Sequence, residues 1–581
     1  MKKLLIANRG EIALRVMRSA REFGLTCVAV YSEPDRDGAH VRYADEAYLL
    51  GPAAAAQSYL NVEKILDIAR RAGADAIHPG YGFLAENSGF ARAVIKAGLT
   101  WVGPHPGAID AMGDKLRSRQ AMIAAGIPVV PGGTEPLHSI EQAIEAADLY
   151  GLPLALKASG GGGGKGLKIA RTVDEIASAF VTARREAEAY FKNPIVYAER
   201  YLDNPKHVEL QILADKHGNV VHVGERDCSL QRRHQKLFEE TPADISESVR
   251  SRLREAGIRA ARTIGYDSVG TIETLVSGDD FFFLEMNTRI QVEHTITEMT
   301  SGLDLIREQL RVAAGEPLGY GQDDIHFHGH AIEVRVNAED PLQNFQPVPG
   351  TINNYREPNG FGVRVDSAMH AGSAISPDYD SMIAKLIVWA PTREQTLARL
   401  RRAIDDYVIG GVPTTLPFLK ALSAYGPVLE GHFGTTTLET FAASYGGPNG
   451  LVVPKPELAT GNDEGLVRVE VNDKLFFVRL LDRPKAAPAV AAKRSAPKGG
   501  AERSRNGRAK AGNEIVTPMH GLVVELTVGE GDEVTEGQVV GIVEAMKMMN
   551  EIRSHRAGVV AKVHAKAGAT VEAQSVLITL A

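Results

Sequence analysis

Two patterns of apolar positions divide the chain into a long N-terminal part and a short C-terminal part. Over residues 1–450, apolar runs such as KKLLIAN and TCVAVYSE alternate with helical patterns such as GEIALRVMRSAREFG, which ends in glycine. Strands that alternate with helices predict an α/β fold with a parallel sheet, in which ligands bind at the carboxyl ends of the strands. The first strand is not followed by G-x-G-x-x-G, so support for a dinucleotide site is weak.

The C-terminal part is predicted to be all β and internally repeated. GLVVELTVGEGDEVTEGQVV (521–540) and GVVAKVHAKAGATVEAQSVL (558–577) match at an offset of 37 residues, which aligns Gly531 with Gly568. Two copies of one unit predict a small pseudo-twofold β-sandwich. The stretch EAMKMMNEI (544–552) lies between the copies and is flanked by β-branched runs with glycine, so Lys547 is predicted at the tip of a hairpin.

Between these parts the apolar periodicity is lost. Residues 484–512 are rich in Ala, Pro, Gly and Ser, and hold eight Lys or Arg against one acid, Glu502, for a net charge of +7. This composition is typical of a solvated linker; a nucleic-acid-binding arm is the alternative. Just before it, alternation in LVRVEVNDKLFFVRLL (466–481) predicts a hairpin.

Length and composition narrow the class of protein. The 581 residues predict roughly four domains, and 44% hydrophobic with 24% charged residues is the composition of a globular protein. A net charge of −7 does not favour nucleic acid as a partner. Two cysteines, Cys27 and Cys228, cannot form a metal cage, and they do not indicate a disulfide framework, so a reducing, cytoplasmic location is predicted. No apolar stretch approaches the roughly 18 residues of a membrane span.

A glycine-rich segment predicts a phosphate site. In LALKASGGGGGKGLKIA (154–170), two strand-like runs bracket five consecutive glycines and Lys165. Glycine allows the backbone of such a loop to close its N–H groups on phosphate oxygens. The segment is not a Walker A loop, because Ser159 replaces the first glycine and Gly166 replaces the Ser or Thr after lysine. We therefore predict a hairpin lid that covers phosphates.

A second polar constellation surrounds residues 281–298. Strict alternation in EMNTRIQVEH predicts one strand whose polar residues share a face: Glu285, Asn287, Arg289, Gln291 and Glu293. With Glu273 in GTIETL, such a face suits oxygen ligands that hold Mg²⁺ against phosphates, beside a cation and a base. A solvent-exposed strand face is the alternative, and the neighbouring FFFL run argues against it.

These motifs resemble those of two families. Ala545-Met546-Lys547-Met548 is similar to the A-M-K-M hallmark of the biotinyl domain of biotin-dependent carboxylases; lipoyl domains share that fold, and methionine on both sides favours biotin. Several segments resemble the biotin carboxylases, an ATP-grasp family, over residues 1–450: IANRGEIA (6–13), HPGYGFLAEN (78–87), GDK (113–115), ERDCSLQRRHQK (225–236), EMNTRIQVEH (285–294) and HAIEVRVNAEDP (330–341). HTITE stands where HPVTE is commoner, a departure expected to alter a turn and not the chemistry.

The resemblance implies an order of domains. An N-terminal parallel-sheet domain (1–113) is followed by an ATP-grasp domain with the glycine-rich lid (114–325) and a carboxylase C-terminal domain (326–447). A connecting segment with the hairpin (448–483) and the basic linker (484–512) then lead to an all-β, flattened-sandwich biotinyl domain (513–581).

The resemblance also implies a nucleotide and metal site. The phosphates or ribose of ATP would contact the following residues: Lys115, Lys157, His207, His234 and the lid residues Gly163 and Gly164. The adenine would contact the segment ERYL, which is Glu199, Arg200, Tyr201 and Leu202, and Gln231 is assigned to the same site. Glu273, Glu285 and Asn287 would hold two Mg²⁺ or Mn²⁺ ions.

The remaining roles concern the two carboxyl-transfer substrates. Bicarbonate would bind Lys236, Arg289, Gln291 and the backbone of Val292. Glu293 would be the general base that deprotonates bicarbonate, and Arg335 would stabilise the biotin enolate. Lys547 would carry biotin through an amide bond.

The implied function is ATP-dependent carboxylation of biotin on the chain's own carrier domain, as the α subunit of an acyl-CoA carboxylase. No segment has the size of a carboxyltransferase, so a separate β subunit is expected as a partner. A biotin protein ligase and a second copy of the carboxylase part are the other expected partners, with neither nucleic acid nor membrane. Two alternatives stay open: a pyruvate, 2-oxoglutarate or urea carboxyltransferase as the acceptor enzyme, and an inactive scaffold that only presents biotin.

Overall fold

The computed structural model describes residues 1–159, 166–233, 235–446, 466–471, 474–479, 512–519, 521–545, 548–572 and 574–581. The chain forms two compact units, Met1–Pro456 and Glu457–Ala581. The basic segment 484–511 and the glycine run 160–165 lie outside the described residues. Among the residues described, no helix combines the length and the apolar character needed to cross a membrane.

A five-stranded parallel sheet begins the first unit, as the alternation of strands and helices predicts. Its strands lie in the order Glu46–Gly51, Thr26–Ser32, Lys3–Ile6, Ala76–His78 and Thr100–Trp101. Alternate residues of one strand face opposite sides of a sheet. Accordingly, Leu4 and Ile6 pack in one core with helix Gly10–Glu22, whereas Leu5 packs in a second core with helices Val62–Ala72 and Ser88–Lys96. Helices Ala39–Tyr43, Pro106–Gly113 and Lys115–Ala124 complete this region.

The strand-like runs that flank the glycine loop pair with each other. Strands Leu154–Ala158 and Leu167–Ala170 are antiparallel, and Val196–Arg200 pairs with the first of them on its other edge. Helices Ile140–Tyr150 and Val173–Phe191 pack on this three-stranded sheet through an alanine-rich core. The glycine run therefore joins two paired strands, as expected of a hairpin.

An eight-stranded antiparallel sheet carries most of the polar motifs. Its order is Asp280–Asn287, Val269–Ser277, Lys206–Ala214, Val220–Arg232, Gln235–Thr241, His330–Asn337, Met382–Ala390 and Val363–Ser367. The pairing of Gln235–Thr241 with His330–Asn337 joins the predicted ATP-grasp and C-terminal segments in one sheet.

Helices and short strands surround this sheet. The helices are Glu247–Thr263, His294–Ser301, Leu305–Ala313, Arg393–Asp406, Leu416–Leu422, Gly426–Glu430 and Thr437–Ser444. Three two-stranded pairs join Glu339–Asp340 to Gln346–Pro347, Gly350–Thr351 to Ala374–Ile375, and Asn354–Arg356 to Val408–Gly410. Single 3₁₀ turns cover Glu33–Asp35, Ala55–Gln57, Gln322–Asp324 and Pro341–Gln343.

One predicted element is wrong. The strand expected through Glu293 ends at Asn287, and residues 288–293 form a loop before helix His294–Ser301. Asn287 pairs with Thr271, only two residues from the end of the neighbouring strand Val269–Ser277, so little backbone remains to continue the ladder. The HTITE variation consequently lies in the first turns of a helix and not in a turn.

The second unit has the predicted all-β architecture. One four-stranded sheet has the order Glu514–Val516, Val576–Leu580, Gly558–Val563, Glu533–Val534, and the other Met548–Arg553, Val539–Ala545, Gly521–Leu526, Thr570–Val571. The two sheets enclose one apolar core. Gly531 and Gly568, equivalent in the repeat, both have positive φ, at 95° and 85°. Strands Leu466–Val471 and Lys474–Arg479 form the predicted hairpin.

Candidate active site

Lys236, on the eight-stranded sheet, is surrounded by three carboxylates, two from the sheet and one from the loop at residues 288–293. Its Nζ donates to Glu209 at 2.6 Å, to Glu273 at 3.0 Å and to Glu293 at 2.7 Å. Glu209 and Glu273 are register partners on neighbouring strands, so the sheet itself brings their side chains together. Burial opposes the charge of Lys236, yet the carboxylates raise the pKa of this lysine well above its ordinary value. The side chain is therefore a fixed cation.

Glu293 lies between two cations. Lys236 donates to its Oε1, and an Arg335 guanidinium nitrogen donates to its Oε2 at 2.9 Å. The residue is only 2% exposed. Burial would raise the pKa of the Glu293 carboxyl, but Lys236, Arg335 and Arg226 hold that pKa below its ordinary value. At neutral pH the carboxylate is therefore ionised.

Arg335 also contacts a second buried acid. Its Nε donates to Glu239 at 2.7 Å. Burial raises the pKa of Glu239, Arg335 opposes that shift and Glu293 adds to it, and together these effects bring the pKa to about 7. Burial opposes the charge of Arg335, but Glu239, Glu293 and Glu333 raise its pKa above the ordinary value for arginine. Arg335 thus contacts two carboxylates whose pKa values are shifted in opposite directions, that of Glu293 down and that of Glu239 up.

The predicted metal ligands lie on two neighbouring strands. Glu273 faces Glu285 in the register, and Asn287 follows two residues later on the same strand as Glu285. Two like charges directly opposite each other repel unless cations lie beside them. Here Lys115 Nζ lies 2.7 Å from Glu285, and His207 Nε2 lies 3.1 Å from Glu273. Burial opposes both charges, yet Glu285 raises the pKa of Lys115 and Glu273 raises the pKa of His207.

Hard oxygen donors in this arrangement fit Mg²⁺ or Mn²⁺. The ligand atoms of His207, Glu209 and Glu273 also all lie within 4.8 Å of one another. Both oxygens of Glu209, however, accept from Arg226 and Lys236. Glu273 and Glu285, which face each other across two strands, offer carboxylate oxygens of the kind that these ions prefer.

The loop after Asn287 carries the predicted bicarbonate residues. Arg289 Nε donates to Glu86 at 3.0 Å, and its NH2 donates to Asn287 Oδ1 at 2.9 Å. Gln291 Nε2 donates to Glu273 at 2.8 Å. The backbone carbonyl of Val292 accepts from Lys385 at 3.0 Å. Side chains of this loop thus lie next to Glu273 and Asn287, two of the predicted metal ligands.

The predicted nucleotide-binding residues described in this paragraph lie in two groups, one on and after strand Val196–Arg200 and one around His207 on strand Lys206–Ala214. Glu199 contacts the ammonium of Lys157 and accepts from Arg119 at 3.0 Å, and these cations hold its pKa low against the effect of burial. Arg200 is exposed, while Tyr201 and Leu202 are partly exposed, at the end of strand Val196–Arg200. Gln231 and His207 lie 3.3 Å apart.

Four predicted residues are outside the described part of the chain: Gly163, Gly164, His234 and Lys547. For the carrier lysine, the flanking strands Val539–Ala545 and Met548–Arg553 are antiparallel, with Ala545 opposite Met548. The two strands of the predicted hairpin are thus paired up to the residues that flank 546 and 547.

Several side chains that contact the predicted site residues were not identified from the sequence. These are Glu86, Arg119, Glu209, Arg226, Glu239 and Lys385. Glu209 and Gln211 alternate with apolar residues in KHVELQILA, so a polar face was visible there. Arg226 stood inside a quoted motif, ERDCSLQRRHQK. No local pattern distinguishes Lys385 in the apolar strand MIAKLIVWA.

The fold and the site are those of an ATP-dependent ligase of the ATP-grasp class. Family models match in chain order: "Biotin carboxylase, N-terminal domain" at 1–109, "Carbamoyl-phosphate synthase L chain, ATP binding domain" at 114–320, "Biotin carboxylase C-terminal domain" at 333–440 and "Biotin-requiring enzyme" at 513–580. The chain belongs to the biotin carboxylase family and carries a C-terminal biotinyl domain.

Relatives at high identity agree with this family. The chain is 43% identical to the biotin-dependent acyl-coenzyme A carboxylase alpha3 subunit of Mycobacterium leprae over 99% of this chain and 98% of the relative. Biotin carboxylase 1 of Bacillus subtilis is 49% identical over 76% of this chain and 99% of the relative.

A solved structure shares the fold of the first unit. It is the biotin carboxylase domain dimer of the Hydrogenobacter thermophilus 2-oxoglutarate carboxylase, in complex with MgADP, ADP and bicarbonate. It is 48% identical, with a TM-score of 0.74, and the match covers 77% of this chain and 99% of that one. The predicted family, fold class and enzyme class are confirmed, whereas the individual residue roles stay predictions.

Proposed function

We propose that this chain carboxylates biotin on its own carrier domain, with bicarbonate and ATP, as the α subunit of an acyl-CoA carboxylase. A separate β carboxyltransferase subunit then passes the carboxyl group to acyl-CoA. One observation carries the proposal: a buried, ionised Glu293 is held between Lys236 and Arg335, beside the loop of Arg289 and Gln291. A base between two cations suits an anionic substrate that must lose a proton.

Bicarbonate is an anion, so its site needs donors. Lys236, Arg289 and Gln291 supply them, because all three lie around Glu273 and Glu293 with charged or amide N–H groups. Glu293 takes the proton of bicarbonate as general base. Protonated Glu293 attracts Lys236 less strongly. The ammonium of Lys236 is then better able to bind the carbonate dianion that the deprotonation produces.

The resulting oxygen attacks the γ-phosphorus of ATP, the bond from that phosphorus to the β–γ bridging oxygen breaks, and ADP leaves. Charge spreads over the phosphoryl oxygens in such a transfer, so cations and positioning supply most of the catalysis. Lys115 and Lys157 neutralise phosphate charge, while Glu273, Glu285 and Asn287 would hold Mg²⁺ or Mn²⁺. The metal, when bound, supplies Lewis-acid neutralisation of phosphate oxygens.

The product, carboxyphosphate, is destroyed by water. The glycine loop between strands Leu154–Ala158 and Leu167–Ala170 is proposed as the lid that excludes water, with Gly163 and Gly164 on the phosphates. Carboxyphosphate breaks down to CO₂ and phosphate. Phosphate takes the ureido N–H proton of biotin, and the freed nitrogen forms a bond to the carbon of CO₂. Arg335 lies beside Glu293 and would neutralise negative charge on the ureido oxygen of biotin. Glu199, Arg200, Tyr201, Leu202, His207, Gln231 and His234 complete the proposed nucleotide site.

The proposed partners follow from this division of labour. A β carboxyltransferase subunit receives the carboxyl group, and a biotin protein ligase attaches biotin at Lys547. A homodimer through the carboxylase part is also proposed, because the solved relative was a domain dimer. The domain limits 1–113, 114–325, 326–447 and 513–581 and a cytoplasmic location belong to the same proposal.

A second acceptor enzyme has some support. One subunit of the pyruvate carboxylase of Methanothermobacter thermautotrophicus is 51% identical over 72% of this chain and 86% of the relative. The acyl-coenzyme A carboxylase relative matches 99% of this chain, including the carrier domain, which favours acyl-CoA.

The test uses the biotinylated full chain with labelled bicarbonate and ATP. Label should first appear on the chain, and with the co-purified carboxyltransferase it should pass to acetyl-, propionyl- or longer acyl-CoA. Transfer to pyruvate or 2-oxoglutarate instead would overturn the acyl-CoA assignment. Absence of label on the chain would overturn the carboxylation step.

A further inference from the structure

Arg226 is a completely buried arginine whose five N–H groups all have side-chain acceptors. The residue has 0% exposure. Its Nε donates to Glu209 at 2.5 Å, one terminal nitrogen donates to Gln211 at 2.7 Å and Thr297 at 2.9 Å, and the other donates to Thr271 at 3.2 Å and Gln291 at 2.9 Å. A guanidinium has five donors and no acceptor. Arg226 therefore uses all five donors, and it connects two strands, one helix and residues 288–293, the loop that carries Arg289 and Gln291 and is called the bicarbonate loop below.

The contact with Gln291 fixes which way that amide points. Arginine only donates, so the Gln291 atom that faces Arg226 must be the oxygen. The carboxylate of Glu273 only accepts when ionised, so the atom that faces it must be the nitrogen. The two partners agree, and the amide has one orientation. Within the described part of the chain, one N–H of Gln291 is spent on Glu273, which leaves the second for an anion oxygen.

Arg226 is also connected to Lys236, through the carboxylate of Glu209. Glu209 accepts from Arg226 through Oε1 and from Lys236 through Oε2. The rigid, planar guanidinium thus sets the carboxylate plane, and that plane sets the position of the ammonium. Two side chains with proposed bicarbonate roles, Gln291 and Lys236, are therefore held by Arg226, the first directly and the second through Glu209.

Stability alone does not require such a residue. Replacing a buried ion pair by apolar side chains of similar volume is often neutral or stabilising, because desolvation offsets the attraction. An arginine whose donors all reach polar groups of the site is better explained by the orientation that it imposes.

We propose that Arg226 is a positioning residue for bicarbonate, acting through Gln291 and through Glu209 on Lys236. The inference rests on the proposed bicarbonate site. Arg226 itself does not touch the substrate, because its five donors are already used.

The first variant is Arg226→Lys, which keeps the charge and loses the planar fork. Its KM for bicarbonate should rise about tenfold or more, the usual size of effect when a residue that orients ligands is lost. The KM for ATP should change less than about twofold, because Lys115 and Lys157 are untouched. The matched control is Arg393→Lys, another arginine on a buried carboxylate, Glu240, which lies outside the site. It should leave both KM values unchanged.

A double-mutant cycle separates positioning from a general loss of structure. If Arg226 acts through Gln291, part of its effect on bicarbonate KM must disappear in a Gln291→Ala background. Additive effects of the two substitutions would overturn the Gln291 route. An unchanged bicarbonate KM in Arg226→Lys would overturn the whole proposal.

If Arg226→Lys does not fold, Thr297→Val replaces it. Thr297 accepts from Arg226, and among the described residues its hydroxyl has no hydrogen bond to Lys236, Arg289 or Gln291. The variant should raise bicarbonate KM severalfold with ATP KM unchanged, and no rise would again overturn the proposal. A wild-type chain without bicarbonate-dependent ADP release would instead refute the proposed function, so the two failures are distinguishable.

Discussion

The ammonium of Lys385 donates a hydrogen bond of 3.0 Å to the backbone carbonyl of Val292. Lys385 is completely buried and also lies 3.3 Å from Glu11 of the N-terminal region and 3.8 Å from Asp366. Burial opposes its charge, but the acids around it raise its pKa above the ordinary value. One cation therefore connects the N-terminal helix, the bicarbonate loop and the C-terminal strands of the first unit.

Lys385→Met should destabilise the first unit strongly. Removing one member of a buried ion pair leaves an uncompensated charge and typically costs about 3–5 kcal/mol. Urea unfolding followed by tryptophan fluorescence measures the loss. Lys420→Met is the matched control, because Lys420 pairs with Asp405 at the surface, where such pairs contribute about 1 kcal/mol or less. Equal stability of the two variants would show that the Lys385 cluster is not coupled to folding.

Glu293→Gln should abolish most catalysis and spare nucleotide binding. Glutamine keeps the size of the side chain but cannot accept the proton, and loss of a positioned base costs on the order of 10² to 10⁴ in rate. Lys236 keeps Glu209 and Glu273, and Arg335 keeps Glu239, so neither cation loses all partners. Bicarbonate-dependent ADP release and ATP affinity are measured side by side.

Glu239→Gln is the control for this variant, since it removes the other carboxylate partner of Arg335. Its rate of ADP release should fall much less, because Glu239 does not contact Lys236 or the bicarbonate loop among the described hydrogen bonds. Turnover of Glu293→Gln equal to that of wild type would mean that another group is the base.

The fold could be predicted where the spacing of apolar residues, or a repeat in the sequence, is enough to identify the secondary structure. The alternation around KKLLIAN and TCVAVYSE predicts the parallel sheet, and the 37-residue repeat predicts the carrier sandwich with its two equivalent glycines. The same reasoning fails at residues 288–293, where polar residues at every second position do not form a strand. Their spacing serves contacts with Glu86, Glu273 and Lys236, and a single sequence does not tell a polar strand face from such a loop.

Motifs named Lys236, Glu273 and Glu293 as members of one site, and the structure brings these three side chains within hydrogen-bond distance. The residues that hold these side chains in place could not be predicted from the sequence. Arg226 contacts Gln291 across 65 residues of chain, and Lys385 contacts Val292 across 93. Such pairs form only when the strands are assembled in one sheet, and no local sequence pattern around Arg226 or Lys385 indicates which residue it contacts.

Lys547 should be the single site of biotin attachment. The strands on both sides of it pair with Ala545 opposite Met548, as expected for a hairpin that presents a side chain to a ligase. Intact-mass measurement after co-expression with an active biotin ligase should show one biotin adduct on wild type and none on Lys547→Arg. Lys562→Arg in the same domain is the control and should keep the adduct. A remaining adduct on Lys547→Arg would refute the assignment.

The stability of the N-terminal sheet should fall on mild acidification because of His78. This residue is completely buried; its Nδ1 accepts from the backbone N–H of Gly80 at 2.9 Å, and its Nε2 lies 3.2 Å from the Gln309 oxygen. Both contacts suit the neutral ring, and burial lowers the pKa of His78 to about 4, with Arg15 adding to the shift and Gln309 opposing it.

The sign of the effect follows from comparing the folded and unfolded chains. Histidine in an unfolded chain has a pKa of about 6.5, above the folded value, so the unfolded state binds the extra proton first. The contribution of His78 is fully present above pH 6.5 and is lost as the pH falls towards 4, by up to about 1.4 kcal/mol per pH unit. His78→Asn should therefore be less stable than wild type at pH 7.5, but should lose about 1–2 kcal/mol less between pH 7.5 and pH 5. Other buried histidines cancel in this difference, and His432→Asn, at an exposed position, should reproduce the wild-type pH dependence in urea unfolding. If wild type and His78→Asn lost equal stability over this range, His78 would have to be protonated in the folded protein, contrary to its two contacts.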